Sequence, residues 1–158
     1  MLKAGMALCV GRSGSNNGER QSSGRWRMSP KTILIVDDEK EVLFSLGLVL
    51  RRAGYTVLEA GHGIEALSVM TEAMRHGQGV DLVITDLRMP YMGGPELLAA
   101  IRRKGFGPNV MVMTGYAHDA SAALWQPDEC PKIIYKPFEA EELLQEVAGT
   151  LGRGPEVA

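Results

Sequence analysis

Asp37, Asp38, Asp86 and Lys136 are far apart along this chain, yet each stands at or just past the end of a short apolar run. Ile33-Leu34-Ile35-Val36 runs into Asp37-Asp38-Glu39, Val83-Ile84-Thr85 into Asp86, and Ile134-Tyr135 into Lys136-Pro137-Phe138. Short β-branched runs without polar alternation suit the strands of a parallel sheet covered on both faces. Such sheets place their working groups just beyond the carboxyl ends of the strands. Three carboxylates and one ammonium are therefore expected to meet in one crevice.

An ordinary role is open to the Asp37-Asp38 pair, because an aspartate before a helix is a good N-cap. One of the two is expected to cap the first helix, and capping uses only one carboxylate. Two carboxylates beside a third at Asp86 would repel by ~4 kcal/mol per pair at about 4 Å and an effective dielectric near 20, so the set calls for a cation. A small number of hard oxygen ligands, completed by water and a phosphate, suits Mg2+. Lys136 contributes a further compact positive charge. Asp86 then has two candidate roles: a metal ligand alone, or a nucleophile that attacks phosphorus and becomes an acyl phosphate. Thr114, in Val112-Met113-Thr114-Gly115, would bring a hydroxyl to the same edge. Threonine is common in strands, so its meaning comes from that company.

The elements that must position these groups are legible as a β-α alternation. Thr32 to Val36, Thr56 to Ala60, Val80 to Thr85, Asn109 to Met113 and Ile133 to Tyr135 read as strands. Helices are expected over Glu39 to Ala53, with Val42, Leu46, Val49, Leu50 and Ala53 inward, and over Gly63 to His76, with Ala66, Leu67, Met70 and Met74 inward. Gly54 is placed to end the first of them. Pro95 to Lys104 and Glu139 to about Leu151 continue the series. Between the fourth and fifth strands Ala117 to Trp125 makes a short helix, followed by Gln126 to Pro131, whose two prolines cannot continue it. Five strands alternating with helices imply right-handed crossovers and a single α/β domain built on a doubly wound five-stranded parallel sheet.

At 158 residues the chain fits one domain. The formal net charge of −2 provides no electrostatic footprint for nucleic acid, so direct DNA binding is not expected. The two cysteines, Cys9 and Cys130, have no metal-ligand or disulfide spacing and suit a reduced, cytoplasmic setting. No apolar stretch approaches the ~20 residues that cross a bilayer. Residues 1–29 read as a disordered, glycine- and serine-rich leader, with Met28 a possible natural start, and 153–158 as a short disordered tail. The domain proper is expected over 30–152. His62, His76 and His118 are scattered and read as exposed or capping residues, and Met70, Met74, Met111 and Met113 as gap-filling core.

These residues, in this order, resemble the receiver domain of two-component response regulators, over nearly all of Lys31 to Leu151. The most specific stretch is Asp86-Leu87-Arg88-Met89-Pro90-Tyr91-Met92-Gly93-Gly94-Pro95-Glu96-Leu97, similar to the family's D-x-x-M-P-x-M-x-G-x-E-L. The resemblance implies a flavodoxin-like fold and Mg2+ held by Asp37, Asp38, Asp86 and the backbone carbonyl of Arg88. It further implies phosphorylation of Asp86 with Thr114 and Lys136 completing the site, and a cis peptide between Lys136 and Pro137. The implied donor is a phosphohistidine on a histidine kinase or histidine phosphotransfer protein. The implied output is binding to a downstream protein by a stand-alone receiver that is a monomer or a weak phosphorylation-dependent dimer. Such a protein takes part in its own phosphorylation and dephosphorylation without being a turnover enzyme.

The chain departs from that pattern at three places. Ile133 stands where receivers usually carry a switching aromatic, the segment before the fifth strand lacks the common small-residue run, and Thr71 to Val80 is extended. Trp125 is expected as an exposed partner contact on that altered segment, and Trp26 lies in the polar leader. Two other readings compete. One is a phosphorylation-independent interaction module; the other is a small phosphatase of the haloacid dehalogenase kind, whose nucleophile lies in a D-x-D after the first strand rather than at the third.

Overall fold

The computed structural model describes residues 29–115, 125 and 130–152. The expected tail, the expected helix before Trp125 and all but the last residue of the expected leader lie outside them. Five strands, β1 (Thr32–Val36), β2 (Thr56–Ala60), β3 (Leu82–Asp86), β4 (Asn109–Thr114) and β5 (Lys132–Tyr135), alternate with α1 (Lys40–Arg52), α2 (Gly63–Arg75), α3 (Gly94–Arg103) and α4 (Ala140–Leu151), the last following β5. The sheet order is β2-β1-β3-β4-β5 and every pairing is parallel. Strand order reverses between β1 and β3, and in an open α/β sheet the crevice forms above such a switch point.

Burial explains why the three inner strands are largely apolar, while the edge strands β2 and β5 are only partly buried. All five residues of β1 are buried, and successive side chains serve opposite faces. Leu34 and Val36 join the cluster under α2 and α3, whereas Ile33 and Ile35 join the one under α1 and α4. Two cores thus sandwich one sheet. β3 and β4 repeat the division: Val83, Val110 and Val112 lie on the first face, and Leu82, Ile84, Met111 and Met113 on the second.

The helix ends follow local chemistry. At the end of α1, Gly54 has φ +94°, which an L side chain rarely adopts. Its N–H donates to Arg51 O at 3.0 Å while Tyr55 N–H donates to Leu50 O at 3.1 Å. His62 caps α2, its Nδ1 accepting from Glu65 N–H at 3.2 Å, and Glu65 Oε2 accepts in return from Gly61 N–H at 2.7 Å.

Several expectations need correction. Leu43 and Gly47, with Leu46 and Leu50, form the buried stripe of α1, while Val42 and Val49 are only half-buried. Ala73 takes the inward place on α2, leaving Met74 exposed. The stripes are rotated because apolar residues such as Val42-Leu43-Phe44 outnumber the positions that one helix face can bury, and Phe44 is left 69% exposed. Trp125, expected at the surface, is 7% exposed and packs in the cluster under α2 and α3.

Candidate functional site

The carboxyl ends of β1, β3, β4 and β5 converge on the crevice. Asp37 follows β1 directly and is fully buried; its N–H donates to Ala60 O at 3.1 Å, which fixes it against the end of β2. Neither aspartate of the pair caps α1, contrary to expectation: Glu39 occupies the N-cap position without a side-chain bond. Asp37 Oδ1 instead accepts from Glu39 N–H at 2.9 Å, an Asx turn that holds the carboxylate in place. Asp38 is exposed at the mouth.

Asp86 closes β3. Its Oδ1 accepts from Leu87 N–H at 2.7 Å, and Thr85 Oγ1 donates to the Asp86 backbone carbonyl at 2.9 Å. Gly94 lets α3 start close by, since a Cβ there would lie 2.9 Å from that same carbonyl. Thr85 and Gly94 were not singled out in the sequence, although both flank or follow the aspartate within its motif. Thr114 ends β4 at 2% exposure, one strand over from Asp86, and its carbonyl accepts from Lys136 N–H at 2.8 Å. The peptide between Lys136 and Pro137 is cis. Arg88 lies exposed two residues beyond Asp86.

Side chains separated by as much as 99 positions therefore meet. Lys136 Nζ lies 3.4 Å from Asp37 Oδ2 and 3.7 Å from Asp86 Oδ2. Asp37, Asp38 and Asp86 each offer a carboxylate oxygen within 4.8 Å of the others. Burial pushes the Asp37 carboxyl above the usual carboxylate range, and the Asp86 charge adds to that, against the Glu39 N–H and Lys136, which favour the ionised form. Three carboxylates facing one ammonium leave negative charge in surplus. That surplus, offered by hard oxygens at graded depth, fits a small divalent cation such as Mg2+.

Around the crevice, Tyr135 is half-exposed and Ile133 partly buried. His62 meets Tyr91 edge to face at 5.3 Å.

A doubly wound parallel sheet with an acidic cluster and a lysine at its switch point defines a class of α/β proteins. The comparisons place this chain within that class. Residues 33–148 match the family model described as the response regulator receiver domain. The chain belongs to the response regulator receiver family. It is 38% identical over 112 residues to the sensor kinase CckA of Brucella abortus, covering 71% of this chain and 12% of that protein. It is 34% identical over 122 residues to the transcriptional regulatory protein GlrR of Escherichia coli K12, covering 77% of this chain and 26% of that protein. This chain therefore spans a minor part of those relatives. Among solved structures it is similar to response regulator TrrA of Thermotoga maritima, crystallised in complex with Mg2+ and BeF. The TM-score is 0.64 and the identity 31%, over 77% of this chain and 99% of that one. A receiver domain protein of Clostridium thermocellum matches with a TM-score of 0.67 and 28% identity, over 77% and 94% of the two chains. With the family shown, the haloacid dehalogenase alternative falls away. Among the described residues no helix is long and apolar enough to cross a membrane.

Proposed function

We propose that Asp86 of this receiver accepts a phosphoryl group from a phosphohistidine on a histidine kinase or histidine phosphotransfer protein, in the presence of Mg2+, and that the modified domain switches its binding to a downstream protein. The observation that carries this reading is the meeting of Asp86 with Lys136 and with the Asp37-Asp38 pair at the switch point.

In the proposed step a carboxylate oxygen of Asp86 forms a bond to phosphorus as the phosphorus–nitrogen bond of the donor imidazole breaks. The imidazole keeps the electron pair and takes a proton from solvent. Asp37, Asp38 and Asp86, with the backbone carbonyl of Arg88, would hold the Mg2+, which when bound supplies charge neutralisation for the phosphoryl oxygens. Lys136, already 3.7 Å from Asp86, adds an ammonium to the same oxygens, and the Thr114 hydroxyl would be a further donor to them. The new group brings about −1.5 to −2 charge into a place that already holds surplus acid, so the strand ends carrying Thr114 and Lys136 are drawn toward it. The solved TrrA complex with Mg2+ and BeF supports the metal assignment by likeness.

Incubation with acetyl phosphate and Mg2+, followed by intact-mass measurement, tests the reading. One added phosphoryl mass in the wild type and none after Asp86→Ala is the expected outcome; an unmodified wild type would contradict it. Partner binding that is equal with and without beryllofluoride would favour the phosphorylation-independent module.

A further inference from the structure

Tyr91 stands in a conformation that its own side chain does not favour. Its φ of +66° lies in the left-handed region, and among the described residues no other non-glycine has a positive φ. The side chain is 85% exposed, so burial does little to offset the strain. Met92 N–H donates to Pro90 O at 2.8 Å, closing a three-residue turn about Tyr91. The strained residue is thus the tip of a loop that starts at the phosphoacceptor.

Two further contacts fix that tip, and both come from the start of α2. The His62 ring meets the Tyr91 ring edge to face at 5.3 Å, and Gly63 N–H donates to Met92 O at 3.3 Å. Gly63 also leaves room for the Met92 side chain, since a Cβ there would lie 2.6 Å from Met92 Cγ and 2.8 Å from its Sδ. His62 is itself held, its Nδ1 accepting from Glu65 N–H as the α2 cap. The base of the loop is closed by Gly94 N–H, which donates to Leu87 O at 2.9 Å. Arg88 lies between a base pinned beside Asp86 and a tip pinned to α2. A segment held at both ends has little freedom left in the middle.

We propose that His62, Gly63 and Tyr91 form a clasp that positions the cation site: the ring contact and the backbone bond at the start of α2 set where the loop after Asp86 holds the Arg88 carbonyl. None of the three is a ligand; they are positioning residues that act through Arg88. The clasp rests on the reading of Asp86 and its Mg2+ above. Its effect is pre-organisation, because a carbonyl already in place loses less freedom when the cation binds. Strain at Tyr91 is then the cost of holding the tip against α2.

Mg2+ titration of the full chain, followed by amide chemical shifts, tests the clasp. Tyr91→Gly suits the left-handed backbone and removes one ring; His62→Asn keeps a capping side chain and removes the other. Each is expected to weaken Mg2+ binding about tenfold, the lower end of what loss of an outer support costs a metal site, whereas Tyr91→Phe keeps the ring and binds as the wild type does. In chelator, Tyr91→Gly should be no less stable to urea than the wild type, while its Gly63 and Met92 amides exchange with solvent faster. Wild-type Mg2+ affinity in both ring-removing variants, equal weakening in Tyr91→Phe, or affinity lost only because the variants unfold in chelator would overturn the clasp and leave the phosphoacceptor reading standing. A wild type that neither binds Mg2+ nor is labelled by acetyl phosphate would overturn both.

Discussion

Asp37 is the carboxylate held under the greatest tension, being fully buried beside Asp86 with Lys136 as its nearby cation. A buried acid whose carboxyl is raised above its unfolded value makes the ionised fold less stable. That cost is fully present above the folded value, is relieved as pH falls through it, and is gone below the unfolded value. Asp37→Asn keeps an oxygen to accept from Glu39 N–H and removes the charge. In chelator at neutral pH it is expected to raise unfolding free energy by roughly 1–2 kcal/mol, read by urea denaturation. This advantage should shrink as pH is lowered through the raised Asp37 range; an advantage that grows on acidification would contradict the assigned cause. The meeting of Asp37, Asp38, Asp86 and Lys136 was legible because an acid or a lysine at the end of an apolar run has few structural uses. Less legible was which aspartate would be buried. The backbone bond from Asp37 to Ala60, which anchors it, joins two strands and leaves no local signal.

At the scale of elements, glycines separate close approach from convenience. A Cβ at Gly94 would lie 2.9 Å from the Asp86 carbonyl and 3.3 Å from Leu87 Cα, both backbone atoms that cannot swing aside. Gly94→Ala is expected to cost roughly 1–3 kcal/mol and to slow labelling of Asp86 by moving β3 relative to α3. Gly149 lies exposed inside α4 with nothing within 4 Å of a built Cβ. Gly149→Ala should stabilise by roughly 0.5–1 kcal/mol without changing labelling, both read by denaturation and intact mass. The inner strands were readable because apolar runs buried on two faces leave no competing pattern, and the half-buried edge strands β2 and β5 followed from the alternation with helices. Helix faces were less so: on α2 Ala73 is buried and the expected Met74 is exposed. Trp125 lay beyond reach because it is buried in a cluster drawn from residues distant in the chain, which leaves no local signal.

For the whole molecule, the cation is the expected source of added stability. Asp37, Asp38 and Asp86 gather only in the fold, so a cation held by them favours the folded state through mass action. Mg2+ at ten times its Kd should add about 1.4 kcal/mol. For a domain of this size that corresponds to a rise of roughly 3–5 °C in Tm. Chelation should reverse the rise and Asp37→Asn should lack it; an equal rise in the variant would place the cation elsewhere.

The phosphoacceptor assignment is most directly tested by trapping the acyl phosphate itself. After treatment with acetyl phosphate and Mg2+, borohydride reduces an aspartyl phosphate to homoserine, and tandem mass spectrometry reads its position. Homoserine at position 86, with Asp37 and Asp38 intact, is the expected result. Homoserine at either of those two residues instead, or at none of the three, would contradict the account.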